Sequence, residues 1–458
     1  MMNDEIWKMD ATALTQAYCA GTLSPSLVVD ACFERISRLD DDLNAFVFLS
    51  NSAGQEARAS ALRWQAGAPI GLLDGVPVAV KDNLVVRDMP TTWGSAAFAD
   101  RLFSKDELPV QRLRDAGAII IGKTNTPEFA VEGYTSNTLF GPTRNPWAPH
   151  LTPGGSSGGS VTAVAAGMTP VALGTDGGGS TRRPAAYTGL VGFKPGMGHV
   201  PRGGGLPQVL RDFEEVGYFA RTVRDIMLFD QVLALPQGGA IAGKGTGVIR
   251  ILLVDRLGGN PCDPEILHSL QQAKGALAAL GHVIEEGVLP LDLTGINTIW
   301  PGIAEAGLCA LVAQDARVAS LAGERYLAMA RRGAKVSPGE RAEMDAIVSD
   351  LRSDADQMFE ACDVIMMPAC AAMPWDADQP YPTTIDGQTV GPRGHAVYTG
   401  WVNAAGLPAI SLPSAPSSSG LPIGFQLIGR HGSEALLLSL GAAFEHQAPW
   451  SERWPYCA

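Results

Sequence analysis

Several functional classes lack their raw material in this sequence. Its 458 residues carry 34 Lys and Arg against 47 Asp and Glu, a net charge of −13. No basic run exceeds two residues, whereas a nucleic-acid binder gathers Lys and Arg on one face. The acidic surplus serves solubility instead. The seven cysteines are scattered, odd in number and never spaced CxxC. That argues against a disulfide framework or a structural zinc and fits a reducing cytoplasm. The seven histidines form no HExxH, and no Walker or dinucleotide fingerprint occurs, so neither a metal nor a cofactor is expected. The N-terminus, Met1-Met2-Asn3-Asp4-Glu5, lacks the basic-then-apolar order of a signal peptide. The longest weakly polar stretch, Val161 to Gly174, is broken by Gly167 and Pro170 and is too short to span a bilayer. The expectation is a cytoplasmic protein that engages neither membrane nor nucleic acid.

What is present suits a compact core: 46 % hydrophobic and 18 % charged residues. Length alone suggests about three domains, a rule that large α/β enzymes often break. Ser24-Pro25 opens an amphipathic helix, with Leu27, Val28, Ala31, Ile36 and Leu39 read as its apolar face. Gly75 to Val80 reads as a buried strand ending at Lys81, Val110 to Ala116 as a helix, and Ile119 to Ile121 as a short strand. This alternation predicts an α/β fold, a mixed twisted sheet with helices on both faces. Between Gly154 and Gly205 glycine is dense, yet VTAVAAGM and GLVGFKP are too apolar for a flexible linker. Asp263-Pro264 starts a helix ending near Gly281, and Pro338 to Ala361 forms a second. Residues 264–363 are therefore read as a peripheral helical region. Val364 to Met367, then Pro408 to Leu412 and Ile423 to Leu427 flanking SAPSSSG as a hairpin, and a helix from Ser433 to His446 return to the sheet.

Three segments carry chemistry: GVPVAVKDN with Lys81, PGGSSGGS with Ser156, and GTDGGGSTRRPA with Ser180. Alone, a lysine at a strand end is ordinarily a surface residue, and a glycine–serine run a tight turn. Together, with Ser180 ninety-nine residues after Lys81 and twenty-four after Ser156, they resemble the amidase-signature family. GKTNTPEFA, FGPTRNPW, TGLVGFKP and the distal NAAGLPAISLP are similar to that family too.

The resemblance spans roughly Thr22 to Glu445 and implies one domain over 1–458, with a signature core at 60–220 and residues 364–458 completing the sheet. It implies Ser180 as nucleophile, Ser156 (after a cis peptide) as a bridging serine and Lys81 as base. Backbone N–H groups of Gly177, Gly178, Gly179 and Ser180 would form the oxyanion hole, with Ser157, Thr175, Asp176 and Arg182 in support. The chemistry needs these residue types. A serine hydroxyl attacks poorly until a neighbour takes its proton, and a lysine can take it only when neutral. Asp82 would oppose that neutrality unless, as strand alternation predicts, it points away. Two departures stand out: Gly177 where the family commonly has a side chain, and Arg183 where an apolar residue or glutamine is usual.

Arg183 invites two readings, a core-paired cation or a pocket arginine selecting a carboxylate. Tyr134 and Trp401, with Trp300, Ala304, Gly307 and Tyr326 of the helical region, are the expected pocket walls. The resemblance implies a small-molecule amide or carbamate substrate, here an aryl amide or carbamate, and a chain that acts alone or as a homodimer. Two alternatives remain. Gly154-Gly155-Ser156-Ser157-Gly158 satisfies the GxSxG elbow of an esterase with Ser156 as nucleophile. A glutaminase-type subunit of a tRNA-dependent amidotransferase is the other, disfavoured by Ala396 where such subunits carry an aspartate.

Overall fold

The computed structural model describes residues 5–235 and 247–455. Met1 to Asp4 and Cys457, used in the sequence reading, lie outside them. Eleven strands form one sheet. In chain order they are β1 (Phe46–Leu49), β2 (Pro77–Lys81), β3 (Ile119–Thr124), β4 (Val171–Asp176), β5 (Val191–Lys194) and β6 (Glu215–Ala220), followed by β7 (Arg250–Leu253), β8 (Val283–Glu286), β9 (Val364–Pro368), β10 (Ala409–Pro413) and β11 (Gly424–Gly429). Their spatial order is β1-β3-β2-β4-β6-β5-β10-β11-β9-β7-β8. Parallel pairs β3–β2–β4 and β9–β7–β8 flank an antiparallel centre, so the sheet is mixed as expected.

Alternation along the strands creates two apolar faces. Val78, Val80, Leu173, Met366, Ile410 and Leu427 point to one side, where Val223–Leu233, Pro264–Ala279 and Glu434–Gln447 pack. Ala79, Ile119, Ile121 and Ala172 point to the other, beneath α1 (Pro25–Leu43) and α2 (Gly158–Ala165). Ser24 caps α1, its hydroxyl accepting from the Ser26 N–H. The buried stripe of α1 is Val28, Val29, Cys32, Ile36 and Leu43. Leu27 is instead 48 % exposed, because the stripe is rotated toward Val29 and Cys32.

The region after Asp263 is less peripheral than its composition suggests. Pro264–Ala279 buries Leu270, Ala273 and Leu277 in the sheet's core. The short strands β7 and β8, absent from the sequence reading, extend the sheet's edge. Helix α3 (Thr294–Gln314) also corrects the expectation about apolar runs, being long and apolar enough by composition to cross a membrane. It contains Pro301 and buries Trp300, Ile303, Leu308 and Leu311 within this fold. The expected hairpin is present, with Ala409 opposite Ile428 and Pro413 opposite Gly424.

Candidate active site

The three glycine-flanked segments meet at the C-terminal ends of β2 and β4. Lys81 is the last residue of β2 and is fully buried. Its Nζ lies 2.8 Å from Ser156 Oγ and 2.9 Å from Thr175 Oγ1, on the neighbouring strand β4. Asn83 Nδ2 donates to the same Thr175 oxygen at 2.9 Å. Burial pushes the Lys81 amine down to about 7, against a weaker upward pull from Glu214 and Asp176. Asp82 points away from it, as alternation predicts. Its carboxylate is 2.8 Å from the buried Lys123 ammonium and accepts from the Thr92 N–H at 3.0 Å.

Ser156 follows a cis Gly155–Ser156 peptide and is buried. A side chain at Gly155 would collide with the Tyr134 backbone, so only glycine fits. Ser157 donates to the Thr175 carbonyl at 3.1 Å, tying the start of α2 to β4. The elbow reading fails on this geometry. Ser156 follows no strand and is bonded to a lysine, not a histidine. The strand–turn–helix setting belongs to Ser180, between β4 and the helix Arg182–Thr188.

The loop carrying Ser180 is organised around Asp176. This buried carboxylate accepts from the Gly179 N–H at 2.5 Å, the Thr181 N–H at 3.1 Å, Arg182 Nε at 3.0 Å and Asn403 Nδ2 at 3.0 Å. Burial alone would raise its pKa, but the Arg182 charge and these bonds hold it far below the usual carboxylate range. The Gly179 N–H is therefore already engaged, which corrects its expected place in the oxyanion hole. Gly177, Gly178 and Ser180 keep N–H groups with no intramolecular acceptor among the described residues. Gly179 has φ of +110°, and a Cβ there would overlap Thr399 Oγ1 and Arg183 Nη1. Ser180 itself is 6 % exposed and opens on the cavity. No hydrogen bond joins it to Ser156 in this structure; catalytic contacts of this kind often tighten only with substrate bound.

Arg183 is buried and braces the same loop. Its Nη1 donates to the Gly178 carbonyl and, at 2.8 Å, to Thr399 Oγ1, while Nη2 reaches the Gly155 carbonyl at 3.3 Å. Thr399 Oγ1 also donates to the Gly178 carbonyl at 2.8 Å. Sequence reasoning missed Thr399, although it precedes the NAAGLP segment that supplies Asn403.

A cavity of about 1260 Å³ opens over Ser180 and Gly178. Trp300, Ala304, Arg183 and Trp401 line it as expected. Tyr134 is not among its lining residues, and its backbone packs on Gly155. Tyr326 stands edge-on to Phe129, 5.5 Å away, and Gly307 lies against the Val209 carbonyl. Arg393 and His395, which no sequence motif marks, do line the cavity. Among the described residues no His, Cys, Asp and Glu cluster could hold a metal.

Known proteins resemble this chain in sequence and in fold. A sequence model of a family described as Amidase matches residues 27–438. A glutamyl-tRNA(Gln) amidotransferase subunit of Alkaliphilus metalliredigens is 33 % identical, with 97 % of each chain covered. An acylamidase of Rhodococcus erythropolis is 31 % identical over 99 % of this chain and 98 % of its own. Among solved structures, a 6-aminohexanoate cyclic dimer hydrolase complexed with substrate superposes with TM-score 0.88 at 29 % identity, covering 99 % of each chain. A bacterial aryl acylamidase of the amidase signature family also gives TM-score 0.88, at 28 % identity with 97 % of each chain covered. A family match over nearly the whole chain and a shared fold leave one conclusion: the chain belongs to the amidase signature family and hydrolyses carbon–nitrogen bonds.

Proposed function

We propose that this chain is a stand-alone amidase working through an acyl-enzyme on Ser180, with Lys81 as base and Ser156 as relay. The observation that carries the reading is the Lys81 amine. It is fully buried and, among the described residues, bonded only to two hydroxyls, Ser156 and Thr175, with no carboxylate in its ion-pair range. Held near 7, it is neutral often enough to accept a proton at physiological pH. Ser180 Oγ attacks the carbonyl carbon while its proton passes to Ser156 Oγ, and the Ser156 proton passes to Lys81 Nζ. The carbonyl oxygen becomes an oxyanion facing the N–H groups of Gly177, Gly178 and Ser180. One such donor is typically worth about 3–4 kcal/mol in the transition state. The intermediate then collapses. Ser156 gives its proton to the leaving nitrogen and regains one from Lys81, so the amine departs neutral. Water repeats the sequence on the ester, releasing the acid.

The indole rings of Trp300 and Trp401 on the cavity wall suit an aryl or acyl group, and similarity to an acylamidase and an aryl acylamidase supports a linear amide. Similarity to amidotransferase subunits supports a second reading, hydrolysis of glutamine for a partner. The cavity opposes it. An α-ammonium group needs an acid, position 396 offers only Ala396, and the two acids that line the cavity are each ion-paired to an arginine.

A fluorophosphonate probe with peptide mapping tests the mechanism. An adduct on Ser180, absent in Lys81→Ala, is the expected result. An adduct on Ser156 sinks the assignment. If the probe leaves no adduct, full amide hydrolysis by Ser180→Ala sinks it equally.

A further inference from the structure

We propose that Arg393 is the anion receptor of the substrate cavity, and that the amide cleaved here carries a free carboxylate; the substrate class rests on the amidase reading above. The charge balance of the cavity is the first observation. The chain as a whole carries a net charge of −13, yet five arginines and only two acids line this cavity. Both acids are already neutralised, Glu132 by Arg325 at 2.9 Å and Glu305 by Arg332 at 2.5 Å. That leaves Arg183, Arg256 and Arg393 with no carboxylate in ion-pair range among the described residues.

Arg183 cannot serve as the receptor. Its Nη1 and Nη2 are bonded to Gly178, Thr399 and Gly155, so a substrate carboxylate would have to break the support of the Ser180 loop to reach it. Arg393 is different. No hydrogen bond or ion pair from it to the described residues occurs, so its fork of five donors is open. Its guanidinium lies on the Trp300 ring, 4.3 Å from the centroid, and a Cβ at Gly400 would sit 3.0 Å from Nη2. The residue is exposed to solvent and lines the cavity.

Position relative to the chemistry is the second observation. Trp300 is wedged against the Ser180 loop, since a Cβ at Gly178 would lie 2.8 Å from the indole Cζ2. Phe213 stacks on the same indole at 5.8 Å with 28° between planes. The indole thus touches both the Arg393 guanidinium and the Gly178 end of the Ser180 loop. A carboxylate paired with Arg393 would hold the scissile carbonyl over Ser180 through a short spacer. Bidentate pairing with a planar guanidinium fixes direction as well as distance.

The carboxylate has two chemical sources, the acyl part, as in a dicarboxylic acid monoamide, or the amine part, as in an N-acyl amino acid. Matched pairs separate them. Glutaric acid mono-4-nitroanilide against pentanoic acid 4-nitroanilide reports on the acyl side, and hexanoyl-4-aminobenzoate against hexanoylanilide on the amine side. The wild-type enzyme is expected to favour the charged member of one pair by about 10–100-fold in kcat/KM, the range of a charged hydrogen-bonded pair. The preference should sit in KM, collapse in Arg393→Leu and return in part in Arg393→Lys. Equal rates within each pair, or a preference that survives Arg393→Leu, would overturn the proposal. Calorimetric titration with glutarate needs no turnover and so separates this inference from the amidase reading. Wild-type enzyme should bind glutarate at least about tenfold more tightly than Arg393→Leu. Equal binding by both, or none by either, refutes the receptor even if no anilide is cleaved.

Discussion

Replacing Asn83 with aspartate tests the neutral-lysine mechanism at its weakest point. Asn83 Nδ2 and Lys81 Nζ each sit 2.9 Å from Thr175 Oγ1, so a carboxylate at residue 83 would lie within about 6 Å of the amine. At an effective dielectric of about 20, opposite unit charges at that distance attract by about 3 kcal/mol, or about two pKa units. The sign is upward, because a carboxylate favours the charged ammonium. In the wild-type enzyme the amine titrates at about 7. kcat/KM on an anilide should therefore fall tenfold per unit below that point, reaching about 1 % of its plateau near pH 5. In Asn83→Asp the midpoint should move to about 9, leaving about 1 % of plateau activity near pH 7 and restoring it near pH 10. Profiles of kcat/KM against pH, with the melting temperature followed alongside, supply the measurement. A wild-type profile flat to about pH 5, or an acid limb unmoved in Asn83→Asp, would refute the assignment of Lys81 as the group that must lose its proton.

Gly179→Ala forces a Cβ into Thr399 Oγ1 and Arg183 Nη1 at a φ of +110°; kcat should drop at least about 100-fold, checked by single-turnover kinetics on protein of normal circular dichroism. Arg183→Leu removes the brace on the Gly178 carbonyl and should lower kcat about 10–100-fold while leaving the preference between acidic and neutral amides as it was, since that preference is assigned to Arg393. Lys123→Met strands the buried Asp82 carboxylate and should cost about 3–5 kcal/mol in urea unfolding. Adding Asp82→Asn should return most of that loss, and a single variant as stable as wild type would show the pair to be unimportant.

The chemistry was more legible in the sequence than its surroundings. Ser156 and Ser180 announce themselves because close approach demands glycine around them: Gly155 against Tyr134, Gly158 against Thr135, Gly178 against Trp300. Those constraints leave a pattern of fixed spacing in the chain. The strands β2, β3 and β9 were visible as apolar runs for a similar reason, being buried on both faces. Edge strand β8 was not, since Val283–Glu286 is largely exposed and carries two acids. Gly179 shows where pattern stops short of geometry. Its N–H looks like its neighbours' until Asp176 is seen to claim it. Arg393 had no signal of any kind, because an open guanidinium in a cavity and a solvated one on a surface loop are spelled the same way. Tertiary arrangement alone tells them apart.

The strand order also sets a timetable for biosynthesis. β10 and β11, residues Ala409–Pro413 and Gly424–Gly429, sit in the middle of the sheet between β5 and β9. While the ribosome is still making them, the nascent chain holds two half-sheets with bare edges at β5 and β9 and nothing to join them. Asn403, which clasps Asp176 beneath the Ser180 loop, arrives in the same late segment. No amount of waiting lets a chain stopped before residue 429 assemble the hydrolase, and every unfinished copy exposes unpaired strand edges to its neighbours. Premature termination in this protein is thus an aggregation hazard as well as a loss of activity.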